Sequence, residues 1–84
     1  MTKLVRYGLD WLVVNSNIGV YFLGTFQGAL DALETCGVDA NDIDVALTDF
    51  HMKGHNYADF GVNGNLTFTA REPYLDGYDK KIAA

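Results

Sequence analysis

The chain has one cysteine, Cys36, and one proline, Pro73, among its 84 residues. A lone cysteine forms no intrachain disulfide, so stability has to come from packing, and a reducing, cytoplasmic setting is the expectation. Long apolar runs are also missing: residues 12–14 and 20–23 are the longest, far short of the roughly 20 needed to cross a bilayer as a helix. Lys3 and Arg6 ahead of an apolar stretch imitate a signal peptide, but Asp10 interrupts that stretch and no small-residue cleavage site follows, so the N-terminus is expected to be mature. Cations are absent from most of the chain's first half. No Lys or Arg stands between Arg6 and Lys53, whereas Asp10, Asp31, Glu34, Asp39, Asp42, Asp44 and Asp49 all fall in that span. With a net charge of −5, the sequence lacks the basic footprint of a protein that binds DNA directly.

Apolar material is plentiful. At 49% hydrophobic and 13% aromatic residues, the chain carries enough to offset its ordering entropy and fold unaided as one small domain. Residues 9–15 and 18–23, rich in Val, Ile, Trp, Tyr and Phe around Ser16-Asn17, predict a hairpin. A two-residue loop pairs Asn15 with Ile18, placing Val13 opposite Val20 and Trp11 opposite Phe22 on one face, and Leu12 opposite Tyr21 on the other. Both faces are partly apolar, so the hairpin is expected to be central or covered on both sides. Thr25 then offers an N-cap, and Phe26, Ala29, Leu30, Leu33 and Cys36 follow the spacing of one helical stripe up to Gly37, which suits a left-handed helix end. Gly28 inside this helix costs about 1 kcal/mol relative to Ala, which suggests close passage of the backbone over the sheet there.

Residues 39–42 look like a polar turn, and residues 43–51 alternate as a strand, with Val45 and Leu47 inward and Asp44, Ala46 and Thr48 outward. Residues 57–62 and 66–71 predict two more strands. A two-residue Asn63-Gly64 turn would mix core and solvent on each face, so a three-residue loop is preferred, pairing Val62 with Leu66, Phe60 with Phe68 and Ala58 with Ala70. A four-residue loop at 52–55 pairs Val45 with Val62 and Leu47 with Phe60, leaving Phe50 and Tyr57 as an aromatic pair on the opposite face. The expected fold is α+β, a mostly antiparallel sheet of about five strands with one helix in the order ββαβββ, over residues 1–73, with 74–84 as a partly ordered tail that Tyr74, Leu75 and Tyr78 anchor.

The chemistry-bearing residues do not converge on an enzyme. His51 and His55 stand at metal-ligand spacing for a helix, but Gly54 and Asn56 point to a turn, and nothing in the spacing makes Cys36 or Asp49 complete a site. Asp39, Asn41 and Asp42 imitate the start of a calcium loop, yet Asp44 stands where the loop requires Gly and Phe50 where it requires Glu. Cys36 belongs to the apolar stripe, where thiols are buried and inert. Gly61 and Gly64 follow a strand without opening a helix, so no phosphate cradle forms. No catalytic residue, metal or cofactor is expected.

What remains is the acid. Asp42 and Asp44, two apart on a strand, would project to the same side about 6.6 Å apart. Asp31 and Glu34 would extend the charge along the helix, Asp39 would bridge the two, and Asp49 completes the candidate partner-binding set. As a whole, and in the strand-exit-plus-helix unit of residues 24–33 (GTFQGALDAL), the chain resembles the small acidic proteins that bacteriophages make against host defences, of the anti-CRISPR and anti-restriction type. That resemblance implies a stoichiometric, DNA-mimicking inhibitor that covers the basic nucleic-acid-binding groove of a host protein. The competing expectation is a structural or oligomerisation module that uses aromatic surface and a hairpin edge, with charge serving solubility.

Overall fold

Lys3 and Arg6 do not lead into the first hairpin; they lie within a strand of their own. The computed structural model describes residues 2–61 and 66–70. Among these, β1 (Thr2–Tyr7), β2 (Asp10–Asn15), β3 (Val20–Gly24), α1 (Phe26–Thr35), α2 (Ala40–Lys53), β4 (Tyr57–Phe60) and β5 (Leu66–Thr69) follow in that order. The strands form one antiparallel sheet in the order β3-β2-β1-β4-β5. The α+β class and the five-stranded sheet agree with expectation; the single helix and the ββαβββ order do not.

Two elements account for the difference. β1 occupies the centre of the sheet, with Leu4 and Val5 each 1% exposed. A strand buried on both faces loses the alternation that marks a half-exposed one, and its two cations disguised it further. Residues 43–51, expected as a strand, lie inside α2. Ile43, Val45 and Leu47 satisfy a period of two, but Ile43, Ala46, Leu47 and Phe50 satisfy the helical i, i+3, i+4, i+7 period equally well. The helical set wins: Ala46 and Phe50 are buried while Val45 is 42% exposed. Helix signals flank it, with extended Asp39 at the N-cap, Asp42 in the first turn, His51 and Lys53 in the last, and Gly54 left-handed at φ 71°, an arrangement that suits the helix dipole and its C-terminal turn. The expected pairings of Val45 with Val62 and of Leu47 with Phe60 therefore do not form, and β4 pairs with β1 instead.

Both hairpins slip by an even number of residues, which keeps each side chain on its expected face. β2 and β3 pair Val13 with Phe22 and Asn15 with Val20, because the turn takes residues 16–19 rather than Ser16-Asn17 alone. β4 and β5 pair Ala58 with Phe68 and Phe60 with Leu66; Val62, expected opposite Leu66, and the loop at 63–65 lie outside the described residues, as does the tail. Trp11, Val13, Val20 and Phe22 still share a face, as do Ala58, Phe60, Leu66 and Phe68.

That face carries the main core. Leu4, Val13, Ala58 and Phe60 from the strands meet Ala29 and Leu33 of α1 and Ala46 and Phe50 of α2. α1 lies over β2 and β3, and α2 touches β4 and β5. Phe50 thus sits in this core, whereas Tyr57 belongs to the opposite face, so the two do not form the expected aromatic pair. The other face of the sheet gathers Val5, Leu12, Val14 and Tyr57, flanked by Tyr7 and Leu23.

Candidate functional site: the acidic helical layer

Local sequence fixes each helix of this layer. The Thr25 hydroxyl accepts a hydrogen bond from Gly28 N at 3.1 Å, satisfying one of the amides that a helix start leaves without a partner. Gly37, at φ 80°, ends the first helix and turns the chain toward the second. Gly28 lets α1 approach the sheet: a Cβ there would lie 2.3 Å from Phe22 Cζ. Phe26 is partly exposed but rests its ring 5.2 Å from that of Trp11, which stacks in turn on Phe50 at 6.2 Å. Both helices are thereby held on one face of the sheet, and their outward surfaces form a single layer.

Asp31, Glu34, Asp39 and Asp44 are exposed on that layer. Asp31 accepts a 3.4 Å hydrogen bond from Gln27, one helical turn earlier. Asp39 caps α2 by position only, making no side-chain cap bond. The expectation that Asp42 and Asp44 project side by side fails with the strand that carried it. On a helix, residues two apart diverge by about 200°. Asp44 is exposed, while half-buried Asp42 lines a pocket of about 270 Å3 with Thr2, Cys36, Asp39 and Phe60.

Asp49 stands apart from the other acids. Its side chain is 9% exposed and lies 2.7 Å from His55 Nδ1. A carboxylate only accepts, so Nδ1 donates, and the pair ties the end of α2 to the turn before β4. His51 is exposed one turn before His55, and the described residues contain no group of three or more His, Cys, Asp or Glu placed to hold a metal ion. Cys36 is half-buried against the main core.

An apolar cleft of about 420 Å3 lies between the helices, lined by Leu30, Glu34, Val38, Ala40 and Ile43, and was not anticipated from the sequence. Its signal was present: Ala40 and Ile43 join Leu30 and Val38 once residues 40–53 are assigned helical periodicity. The layer therefore combines an apolar furrow with carboxylates at Glu34 on its wall and Asp31, Asp39 and Asp44 nearby on the same two helices. Such a surface offers charge complementarity to a basic partner and a slot for an apolar side chain. No helix among the described residues is long and apolar enough to cross a membrane. Set against protein-family models, curated proteins and solved structures, the chain matches none of them significantly.

Proposed function

We propose that this protein is a non-catalytic binding module whose acidic helical layer docks into the basic, nucleic-acid-binding groove of a larger protein and so blocks it. The observation that carries this reading is the placement of α1 and α2 on one face of the sheet: the span without Lys or Arg, between Arg6 and Lys53, supplies that whole outer surface up to its last residue. Asp31, Glu34, Asp39 and Asp44 are the contacts it relies on. Asp42 lends charge from the rim of its pocket, and Asp49, engaged with His55, positions the helix end instead of meeting a partner. Long-range attraction speeds encounter, and the interhelical furrow adds apolar contact that salt does not screen. Inhibition of the phage anti-defence type is one setting for such a module.

Competition tests it. Proteins captured from a bacterial lysate on the immobilised chain are challenged with duplex DNA at low salt. Release of a nucleic-acid-binding protein by DNA supports the proposal, whereas a captured partner that ignores DNA and survives high salt favours the oligomerisation or aromatic-surface reading.

A further inference from the structure

The furrow between α1 and α2 has walls that the fold itself holds in place. At the end of α1, Gly37 N donates to Glu34 O at 2.9 Å and Val38 N to Leu33 O at 3.1 Å, with Gly37 left-handed at φ 80°. This pairing closes a helix and turns the residue after it back over the last turn. Val38 is thereby fixed as the end wall. Val38 and Ile43 also pack against the main core, whereas half-buried Leu30 joins neither core cluster and lines the furrow instead. On the α2 side the wall is completed by Ala40, exposed in the first turn, whose single methyl is too short to close the gap. The rim is anionic. Glu34 lines the furrow one turn after Leu30, exposed Asp31 stands one turn before Glu34, and exposed Asp39 adjoins Ala40. Side chains three or four apart on a helix lie only about 5–6 Å from each other, so the charge borders the apolar slot directly.

We propose that this furrow receives one apolar side chain, flanked by Lys or Arg, that the basic groove of the partner otherwise presents to nucleic-acid bases. The inference rests on the acidic layer being the binding surface and names what the partner inserts there. Grooves that bind nucleic acid combine cations for the phosphates with apolar or aromatic side chains that stack on bases or wedge between them. Carboxylates answer only the first kind of group; a stacking side chain set against them would lose its base and gain nothing. The furrow answers the second kind. Leu30, Val38, Ala40 and Ile43 take the place of base surface, while Asp31, Glu34 and Asp39 take the place of the phosphates beside it. Neither an apolar segment without cations nor a basic segment without an apolar side chain uses both parts.

Three short peptides serve as probes: Lys-Lys-Phe-Lys-Lys, Lys-Lys-Ser-Lys-Lys and Glu-Glu-Phe-Glu-Glu. Each is titrated into the full-length protein at low salt and followed by methyl NMR. The Lys-flanked Phe peptide should shift the methyls of Leu30, Val38 and Ile43 but not those of Leu12, which lies on the other face of the sheet. It should bind about tenfold tighter than its Ser counterpart, as expected for taking a ring out of water, and the Glu-flanked peptide should not bind. Ala40→Leu, at an exposed position, fills the furrow without changing charge. It should abolish the preference for Phe over Ser, while both Lys-flanked peptides still bind and still weaken as salt rises. Salt-sensitive binding without a Phe preference in the wild type overturns the furrow as receptor and leaves the acidic layer standing as the binding surface. A Phe preference that survives Ala40→Leu, or shifts confined to methyls outside the furrow, overturns it as well. Failure of all three peptides to bind, or equal binding of the Glu-flanked peptide, overturns the furrow and the acidic layer together.

Discussion

Replacing Gly28 with alanine sets two effects of known size against each other. Glycine in a helix interior is worse than alanine by about 1 kcal/mol, so propensity alone makes Gly28→Ala stabilising. In the fold, the new Cβ would stand 2.3 Å from Phe22 Cζ and 2.9 Å from Cε1. Carbon atoms pack at about 3.5–4.0 Å, so the ring has to retreat by about 1 Å or more, and Phe22 is itself packed against the main core. Overpacking of this kind costs about 1–3 kcal/mol. The net expectation is a loss of up to about 2 kcal/mol. Phe22→Leu removes the ring atoms that collide, and in that background Gly28→Ala should stabilise by about 1 kcal/mol. Urea denaturation reads the sign directly, because a slope of about 1–3 kcal/mol per molar turns each 1 kcal/mol into about 0.3–1 M of midpoint. If Gly28→Ala stabilises equally in both backgrounds, the helix does not rest on Phe22 as described.

Five further substitutions examine the scaffold. Leu33→Ala, at a site with 0% exposure in the main core, should cost about 2–5 kcal/mol in chemical denaturation, as should Phe60→Ala in the low part of that range, whereas Leu9→Ala, at 97% exposure, should leave the midpoint within about 0.5 kcal/mol of wild type. Thr25→Ala removes the hydroxyl that accepts from Gly28 N and should cost about 1 kcal/mol, measurable as a lowered melting temperature. Thr2→Val strips the acceptor from the buried Asn15 amide, which donates to Thr2 Oγ1 at 2.9 Å, and should cost about 1–3 kcal/mol in the same assay.

How much of this was legible in the sequence depends on which residues break a period. α1 was clear because Thr25, the stripe from Phe26 to Cys36 and Gly37 agree at every level, and even the awkward Gly28 announced its close approach to the sheet. The hairpin faces were legible despite slipped registers, because a shift of two residues leaves Trp11, Val13, Val20 and Phe22 together. α2 was hidden by alternation of Ile43, Val45 and Leu47, and the burial of Ala46 and Phe50 together with the exposure of Val45 decides between the periods. That one error displaced the acidic site: Asp42 and Asp44 became divergent instead of parallel. Pairing of Asp49 with His55 depends on the chain reversing at Gly54 and leaves no trace in sequence spacing.

Charge reversal on the helical layer tests the central claim most directly. Asp31→Lys, Glu34→Lys and Asp44→Lys together alter three exposed positions, each reversal adding two charges, so the net charge moves from −5 to +1. None lies in a core cluster, and the circular dichroism spectrum and a cooperative melting transition should persist. Affinity for a captured nucleic-acid-binding partner is then titrated across a salt series. The wild type should bind more weakly as salt rises and be displaced by duplex DNA, and the triple variant should lose binding at low salt, where attraction would have become repulsion. Equal affinity of variant and wild type at low salt, with the fold intact, would contradict an acidic helical layer as the binding surface.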